Sequence, residues 1–175
     1  MDFCTVFTEL DAASSAGVIT RYAVGGAVAA TFYIEPAATE DIDVFVVLDP
    51  PPGRLIVTLD VVFAFLAARG ARVEGEHLVI GGWPVQFLPA TSPLEHDALN
   101  EARSVDVEGQ PVRVLSAEHL AAIALATSRP RDKVRLQQFL EWKGFDRQRF
   151  EALVATYDLS ATWATYLAHF LGQSP

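Results

Sequence analysis

Two aspartates separated by a single residue open the most strand-like run of the chain. Asp41-Ile42-Asp43 leads directly into Val44-Phe45-Val46-Val47-Leu48. Alternate residues of a β-strand point to the same face, so the two carboxylates should project together. At a strand rise of ~3.3 Å per residue they would lie about 6–7 Å apart and repel each other unless a cation sits between them. The spacing therefore predicts a site for a hard divalent metal.

A pair of glycines forms the second element with chemical potential. Gly25-Gly26 follows the short apolar strand Tyr22–Val24 and precedes a run of small residues typical of a helix. Such a turn directs unpaired backbone amides and the positive end of a helix dipole at one point, which suits a phosphate. Glycine lets the phosphate approach the backbone closely. A tight turn that binds nothing is the alternative, and the absence of GxxxxGK[ST] excludes a P-loop.

The composition limits the classes of protein to consider. The chain has 175 residues, 51% of them hydrophobic, a net charge of −9 and one cysteine. It is long enough for one domain, or for a core with a small helical addition. Its acidity argues against extended binding to a polynucleotide but not against a small anionic ligand. The N-terminus resembles no signal peptide and no apolar run approaches a membrane span, so we expect a soluble, cytoplasmic protein. The four histidines show no metal-binding spacing, so zinc is not expected.

The hydrophobic pattern predicts an α/β (α+β) core followed by a helical tail. Predicted helices span residues 2–16, 25–33, 55–69, 93–102, 116–127, 132–142, 146–157 and 160–171. Predicted strands span residues 18–24, 42–48, 72–74, 77–80, 84–88, 104–107 and 111–115. The domain organisation predicted from this order is a core over residues 1–115 and a helical C-terminal subdomain over residues 116–175.

The glycine pair, the short helix, the polar turn and the aspartate pair together resemble the nucleotidyltransferase (polymerase β-like) superfamily. The match is to its short bacterial members, including relatives of the AbiEii-type toxins, and covers most of residues 18–140. The residues that carry it are Val24-Gly25-Gly26, Thr39, Asp41-Ile42-Asp43 and Val44-Phe45-Val46. The resemblance implies a small mixed sheet with flanking helices.

The same resemblance implies a chemistry. Gly25 and Gly26 would grip the triphosphate of an NTP. Asp41 and Asp43 would bind one or two Mg²⁺ (or Mn²⁺) ions and serve catalysis. The nucleotidyl group would pass to an unidentified acceptor, which is a small molecule, a protein or an RNA.

Basic residues cluster late in the chain. Seven of the thirteen Lys and Arg residues fall between Arg129 and Arg149. One interpretation is that Lys133 or Arg131 folds back onto the nucleotide triphosphate. The other is a solvated face paired with neighbouring acids.

One departure from the family bears on activity. The family commonly places a third carboxylate on a later core strand, and the polar residue on the candidate strand here is Gln86. An amide is an ineffective general base, although Asp97 or Glu101 could substitute. Three hypotheses remain. One is a metal-dependent nucleotidyltransferase. The second is a catalytically degenerate module that binds a nucleotide or a protein, as one partner of a toxin–antitoxin-like pair. The third is an unrelated α/β protein in which Asp41-Ile42-Asp43 is only a polar strand start. A protein partner or a homodimer is compatible with the sequence.

Overall fold

The computed structural model describes residues 2–36, 38–49 and 58–170. In these ranges the strands are β1 (Arg21–Val24), β2 (Ile42–Val47), β3 (Arg72–Glu74), β4 (His77–Ile80), β5 (Trp83–Pro89), β6 (Arg103–Val107) and β7 (Gln110–Val114). The helices are α1 (Phe3–Ser15), α2 (Gly26–Ala30), α3 (Asp60–Ala68), α4 (Pro93–Asn100), α5 (Ala117–Thr127), α6 (Pro130–Glu141), α7 (Arg147–Thr156) and α8 (Ser160–Phe170).

Local sequence signals set several of the helix starts. Helix α4 begins at a capping box, in which the Ser92 hydroxyl accepts from the Glu95 amide at 3.2 Å and the Glu95 carboxylate accepts from the Ser92 amide at 2.9 Å. The Ser116 hydroxyl caps α5 by accepting from the His119 amide. Side-chain oxygens at these positions satisfy amides that the first helical turn leaves unpaired.

Two predicted elements are shorter than expected. The predicted strand 18–24 begins only at Arg21, because the amides of Val18 and Ile19 donate to the Ala13 carbonyl and so cap α1. The predicted helix 25–33 ends at Ala30, after which the Thr31 hydroxyl bonds to the Val28 carbonyl at 2.7 Å. The first part of the predicted helix 55–69 lies outside the described residues.

All seven strands belong to one mixed sheet in the order β3-β4-β5-β2-β1-β7-β6. The central strand β2 pairs antiparallel with β1 and parallel with β5, while β1 pairs parallel with β7. The C-terminal ends of β1 and β7 therefore share an edge of the sheet with the N-terminal ends of β2 and β5. This edge carries Gly25-Gly26, the aspartate pair and Gln86.

The hydrophobic core is continuous from α1 to α8. Helix α5 is buried along eight of its eleven residues, because it packs against α2 and α4 and against the later helices α6, α7 and α8. The predicted division at residues 115 and 116 stays a prediction. No helix in the described ranges combines the length and the apolar character needed to cross a membrane.

Candidate functional site

The Asp43 carboxylate lies directly against the glycine turn. Gly26 has φ +56°, and a Cβ at this position would lie 1.7 Å from Asp43 Oδ2. The Gly25 amide donates to the Asp43 carbonyl at 2.8 Å, which ties the turn to the start of β2. A Cβ on Gly25 would lie 2.5 Å from the Phe45 ring. Both positions therefore require glycine.

Asp41 lies just before β2, and its side chain is one-third exposed. The Thr39 hydroxyl donates to Asp41 Oδ1 at 3.2 Å and to the Asp41 carbonyl at 3.0 Å. On the other side, His77 Nε2 lies 3.5 Å from Asp41 Oδ2. Sequence reasoning missed His77, because the contact depends on the placement of β4 in the sheet and on no local spacing.

The two aspartates repel each other, as their spacing predicts. Burial and the charge of Asp41 raise the pKa of Asp43 above its ordinary value. The guanidinium charges of Arg135, Arg131 and Arg129 lower the same pKa and so oppose this effect. The site thus combines a carboxylate pair with an arginine-rich helix start.

Gln86 is the direct neighbour of Asp43 across the parallel pair of β2 and β5. The residue at this place carries no charge, as expected from the sequence. The suggested substitutes are engaged with other groups: Asp97 Oδ2 lies 3.1 Å from His119 Nε2, and Glu101 pairs with Arg149. Both suggested substitutes are therefore engaged away from the aspartate pair.

The donor chemistry of the pair fits a hard cation. Within the described ranges, no group of three or more His, Cys, Asp or Glu side chains is arranged to hold a metal. Mg²⁺ is commonly held by one or two carboxylates, with substrate phosphates and water completing its shell. The metal-binding and catalytic roles of Asp41 and Asp43 stay predictions.

The predicted phosphate-binding residues of α6 point in different directions. The Lys133 ammonium lies 5.0 Å from the centre of the Phe170 ring, and the Lys133 carbonyl accepts from the Tyr166 hydroxyl at 3.1 Å. Arg131 is exposed, and its charge acts on Asp43. Roles for Lys133, Arg131, Gly25 and Gly26 in nucleotide binding stay predictions.

Solved structures provide the relevant comparison. ANT(2″)-Ia in complex with adenylyl-2″-tobramycin matches at a TM-score of 0.54 and 18% identity, over 90% of this chain and 97% of that one. The solution structure of the antibiotic-resistance factor ANT(2″)-Ia matches at 0.52 and 17%, over 94% and 96%. An antigenic nucleotidyltransferase-like protein from Paracoccidioides brasiliensis matches at 0.54 and 15%, over 90% of each chain. The chain has a nucleotidyltransferase-like fold.

The predicted fold class, a mixed sheet with flanking helices and a helical C-terminal part, is thereby confirmed. No protein-family model and no curated protein sequence matches the chain. The predicted kinship with AbiEii-type toxins stays a prediction.

Proposed function

We propose that this protein binds an NTP with Mg²⁺ (or Mn²⁺) at Asp41 and Asp43 and transfers the nucleotidyl group to an acceptor. The observation that carries the proposal is the close approach of the Asp43 carboxylate to Gly26, with Asp41 near enough for its charge to act on Asp43. Carboxylate oxygens are the hard ligands that Mg²⁺ prefers, and here they lie against the glycine turn.

Each part of the site has a role in this reaction. Asp41 and Asp43 hold the metal, which neutralises phosphate charge and aligns the reacting groups when bound. Gly25 and Gly26 form the turn beside which the triphosphate would bind, and the arginines of α6 add positive charge. The oxygen of an acceptor hydroxyl forms a bond to the α-phosphorus as the bond from the α-phosphorus to the β-phosphate oxygen breaks, pyrophosphate leaves, and the hydroxyl proton passes to water.

A cleft of about 210 Å³ beside Asp41 offers a place for the acceptor. It is lined by Glu40, Asp41, Glu74, His77, Val79 and Pro84. Its acidic lining and the net charge of −9 favour a positively charged acceptor over a polynucleotide. Because ANT(2″)-Ia was solved with adenylyl-2″-tobramycin, ATP and tobramycin are the first pair to test.

The test is detection of an adenylylated product by mass spectrometry, together with release of pyrophosphate. We expect both with wild type in the presence of Mg²⁺, and neither with Asp41→Asn/Asp43→Asn. Product formation that persists in the double variant would disprove the assigned site. An acceptor panel of other amines and hydroxyl compounds follows if tobramycin is inert.

A second candidate function rests on Gln86. Because a neutral amide stands opposite Asp43, the alternative is a module that binds a nucleotide or a protein without turnover, as a homodimer or in a toxin–antitoxin-like pair. In that case wild type would bind Mg·ATP but release no pyrophosphate with any acceptor. Gln86→Asp would supply the absent carboxylate, and a gain of turnover in this variant would support the degenerate form.

A further inference from the structure

A cavity of about 230 Å³ lies between the start of α1, helix α2 and the β6–β7 hairpin. Phe3 and Phe7 of α1 form one wall, with their ring centres 5.7 Å apart. Valines form much of the rest, among them Val28, Val107 and Val112. An apolar cavity of about 150 Å³ is large enough to bind benzene. This cavity therefore has room for one aromatic ring, or a short alkyl group, that carries a substituent.

The cavity lies on the face of the sheet opposite to the Asp43 carboxylate. Val24, which lines the cavity, is paired with Val44 in the antiparallel ladder of β1 and β2. Directly paired residues project to the same face, and the next residue along the strand projects to the other. The acidic cleft beside Asp41 also shares no lining residue with this cavity. The cavity is therefore separate from both parts of the candidate functional site.

Among the described residues that line the cavity, the one charged group is Glu108. Because Glu108 is exposed, its carboxylate lies at the mouth of the cavity. Its Oε2 accepts from the Cys4 thiol at 3.5 Å, and a thiol is a weak donor. In the part of the chain that the structure describes, no basic side chain forms an ion pair with Glu108. The Thr31 hydroxyl donates to the Val28 carbonyl at 2.7 Å and has no proton left for a ligand.

The backbone conformation of Glu108 is uncommon for glutamate. Val107 pairs with Gln110, so Glu108 and Gly109 are the two central residues of the hairpin turn, with φ +53° and +87°. The Asp106 carboxylate accepts from the Gly109 amide at 3.1 Å and holds this turn. Two-residue turns of this kind favour Asn, Asp or Gly. Turn preference therefore gives no reason for a glutamate at the mouth of the cavity.

We propose that this cavity binds an organic ammonium ion with an aromatic or alkyl body, whose charge pairs with Glu108. The apolar body fills the space between the phenylalanines and the valines, where burial of its surface is favourable. The ammonium group lies at the mouth beside the carboxylate, and the phenylalanine rings attract a cation as well. An anion of the same size would be repelled by Glu108. The inference does not depend on the proposed function, because the two sites share no residue.

Ligand-observed NMR titration with three probes of similar shape tests the proposal. The probes are phenethylamine, which is protonated at neutral pH, phenethyl alcohol, which is neutral, and hydrocinnamate, which is an anion. We expect the amine to bind wild type with a dissociation constant of about 1 mM or lower, the range of ligands of this size. The alcohol should bind at least about fivefold more weakly, and the anion more weakly still.

Two variants test the charge and its position. Glu108→Gln should weaken binding of the amine by at least about fivefold and leave binding of the alcohol unchanged, because it removes the charge and keeps the shape. Glu76→Gln is the matched control, since Glu76 is an exposed glutamate in the turn between β3 and β4, and it should change neither affinity.

Val107→Phe tests the location, because it puts a phenyl ring into the cavity and should abolish binding of the amine and the alcohol. Melting curves show whether each variant is folded. If Val107→Phe is misfolded, the smaller change Val107→Leu replaces it and should weaken binding of both probes.

Each contrary result overturns the inference. These results are no binding of the amine by wild type, equal affinity for the three probes, and equal losses in Glu108→Gln and Glu76→Gln. Binding that persists in folded Val107→Phe would place the amine elsewhere, for example in the acidic cleft beside Asp41, and would overturn the inference as well.

Discussion

Asp43 lies in an environment that disfavours the charged form of its carboxyl group. Burial, and then the charge of Asp41, raise the pKa of this carboxyl above the ordinary value of 3.8. The folded state therefore binds the proton more tightly than the unfolded chain does. Stability then falls as the pH rises from the ordinary pKa through the raised one, and stays lower above it. A charge kept at a cost in stability is typical of a binding site.

Removal of this charge should stabilise the ligand-free protein. At pH 7 without divalent metal, we expect Asp43→Asn to raise the free energy of unfolding by about 1 kcal/mol, or about 2–4 °C in melting temperature. The difference should shrink as the pH falls through the raised pKa of Asp43, because wild-type Asp43 then gains a proton. Asp49→Asn is the control, since Asp49 is exposed and should show no such change. A less stable Asp43→Asn at pH 7 would contradict the account.

Gly26 should tolerate no side chain. We expect Gly26→Ala to cost at least about 2 kcal/mol, because positive φ and overlap with Asp43 Oδ2 act together. Gly17 provides a matched control, since it has φ +71° with nothing within 4 Å of a built Cβ. Gly17→Ala should cost only about 1 kcal/mol. Chemical unfolding measures both, and equal losses would show that contact with Asp43 is unimportant.

At the scale of elements, polar contacts attach the C-terminal helices to the core. The buried His119 of α5 lies with Nδ1 2.8 Å from Ser116 Oγ and Nε2 3.1 Å from Asp97 Oδ2 on α4. Burial tends to raise the pKa of Asp97, but hydrogen bonds from His119 and Tyr157 outweigh this and lower it. Because Tyr157 ends α7 and also bonds to Asp97, three helices meet at this aspartate.

This cluster should stabilise the fold without contributing to nucleotide affinity. We expect His119→Ala to lower the free energy of unfolding by about 2–4 kcal/mol, because it leaves a cavity and unpaired polar groups. The affinity for Mg·ATP should be unchanged at temperatures where the variant is folded. His96→Ala on the exposed side of α4 should be nearly neutral in the same urea titration. Similar losses in the two variants would contradict this role.

The helices, strands and site residues differ in how completely the sequence predicted them. Alternation and capping residues predicted most strands and helices, because these signals are local. The first half of the predicted strand 18–24 was wrong, because the amides of Val18 and Ile19 bond to the Ala13 carbonyl at the end of α1. Gly25-Gly26, the aspartate pair and Gln86 could be found from their spacing. His77 and Arg135 could not, because their positions depend on sheet pairing and on the rotation of α6.

At the scale of the molecule, the strand order concentrates opposite charges at one edge. The N-terminal ends of β2 and β5 bring together Asp41, Asp43 and Gln86, and the arginines of α6 act on the same point. Seven of the thirteen Lys and Arg residues lie between Arg129 and Arg149. Under the proposed function, we therefore expect a phosphate to be attracted to the arginine side and a cationic acceptor to the acidic cleft beside Asp41.

The most direct test of the central claim is calorimetric titration of ATP into wild type and Asp41→Asn/Asp43→Asn, with Mg²⁺ and with EDTA. We predict binding to wild type that requires Mg²⁺ and is lost in the double variant. Metal-independent binding, or equal affinity in the double variant, would contradict a nucleotide and metal site at the aspartate pair.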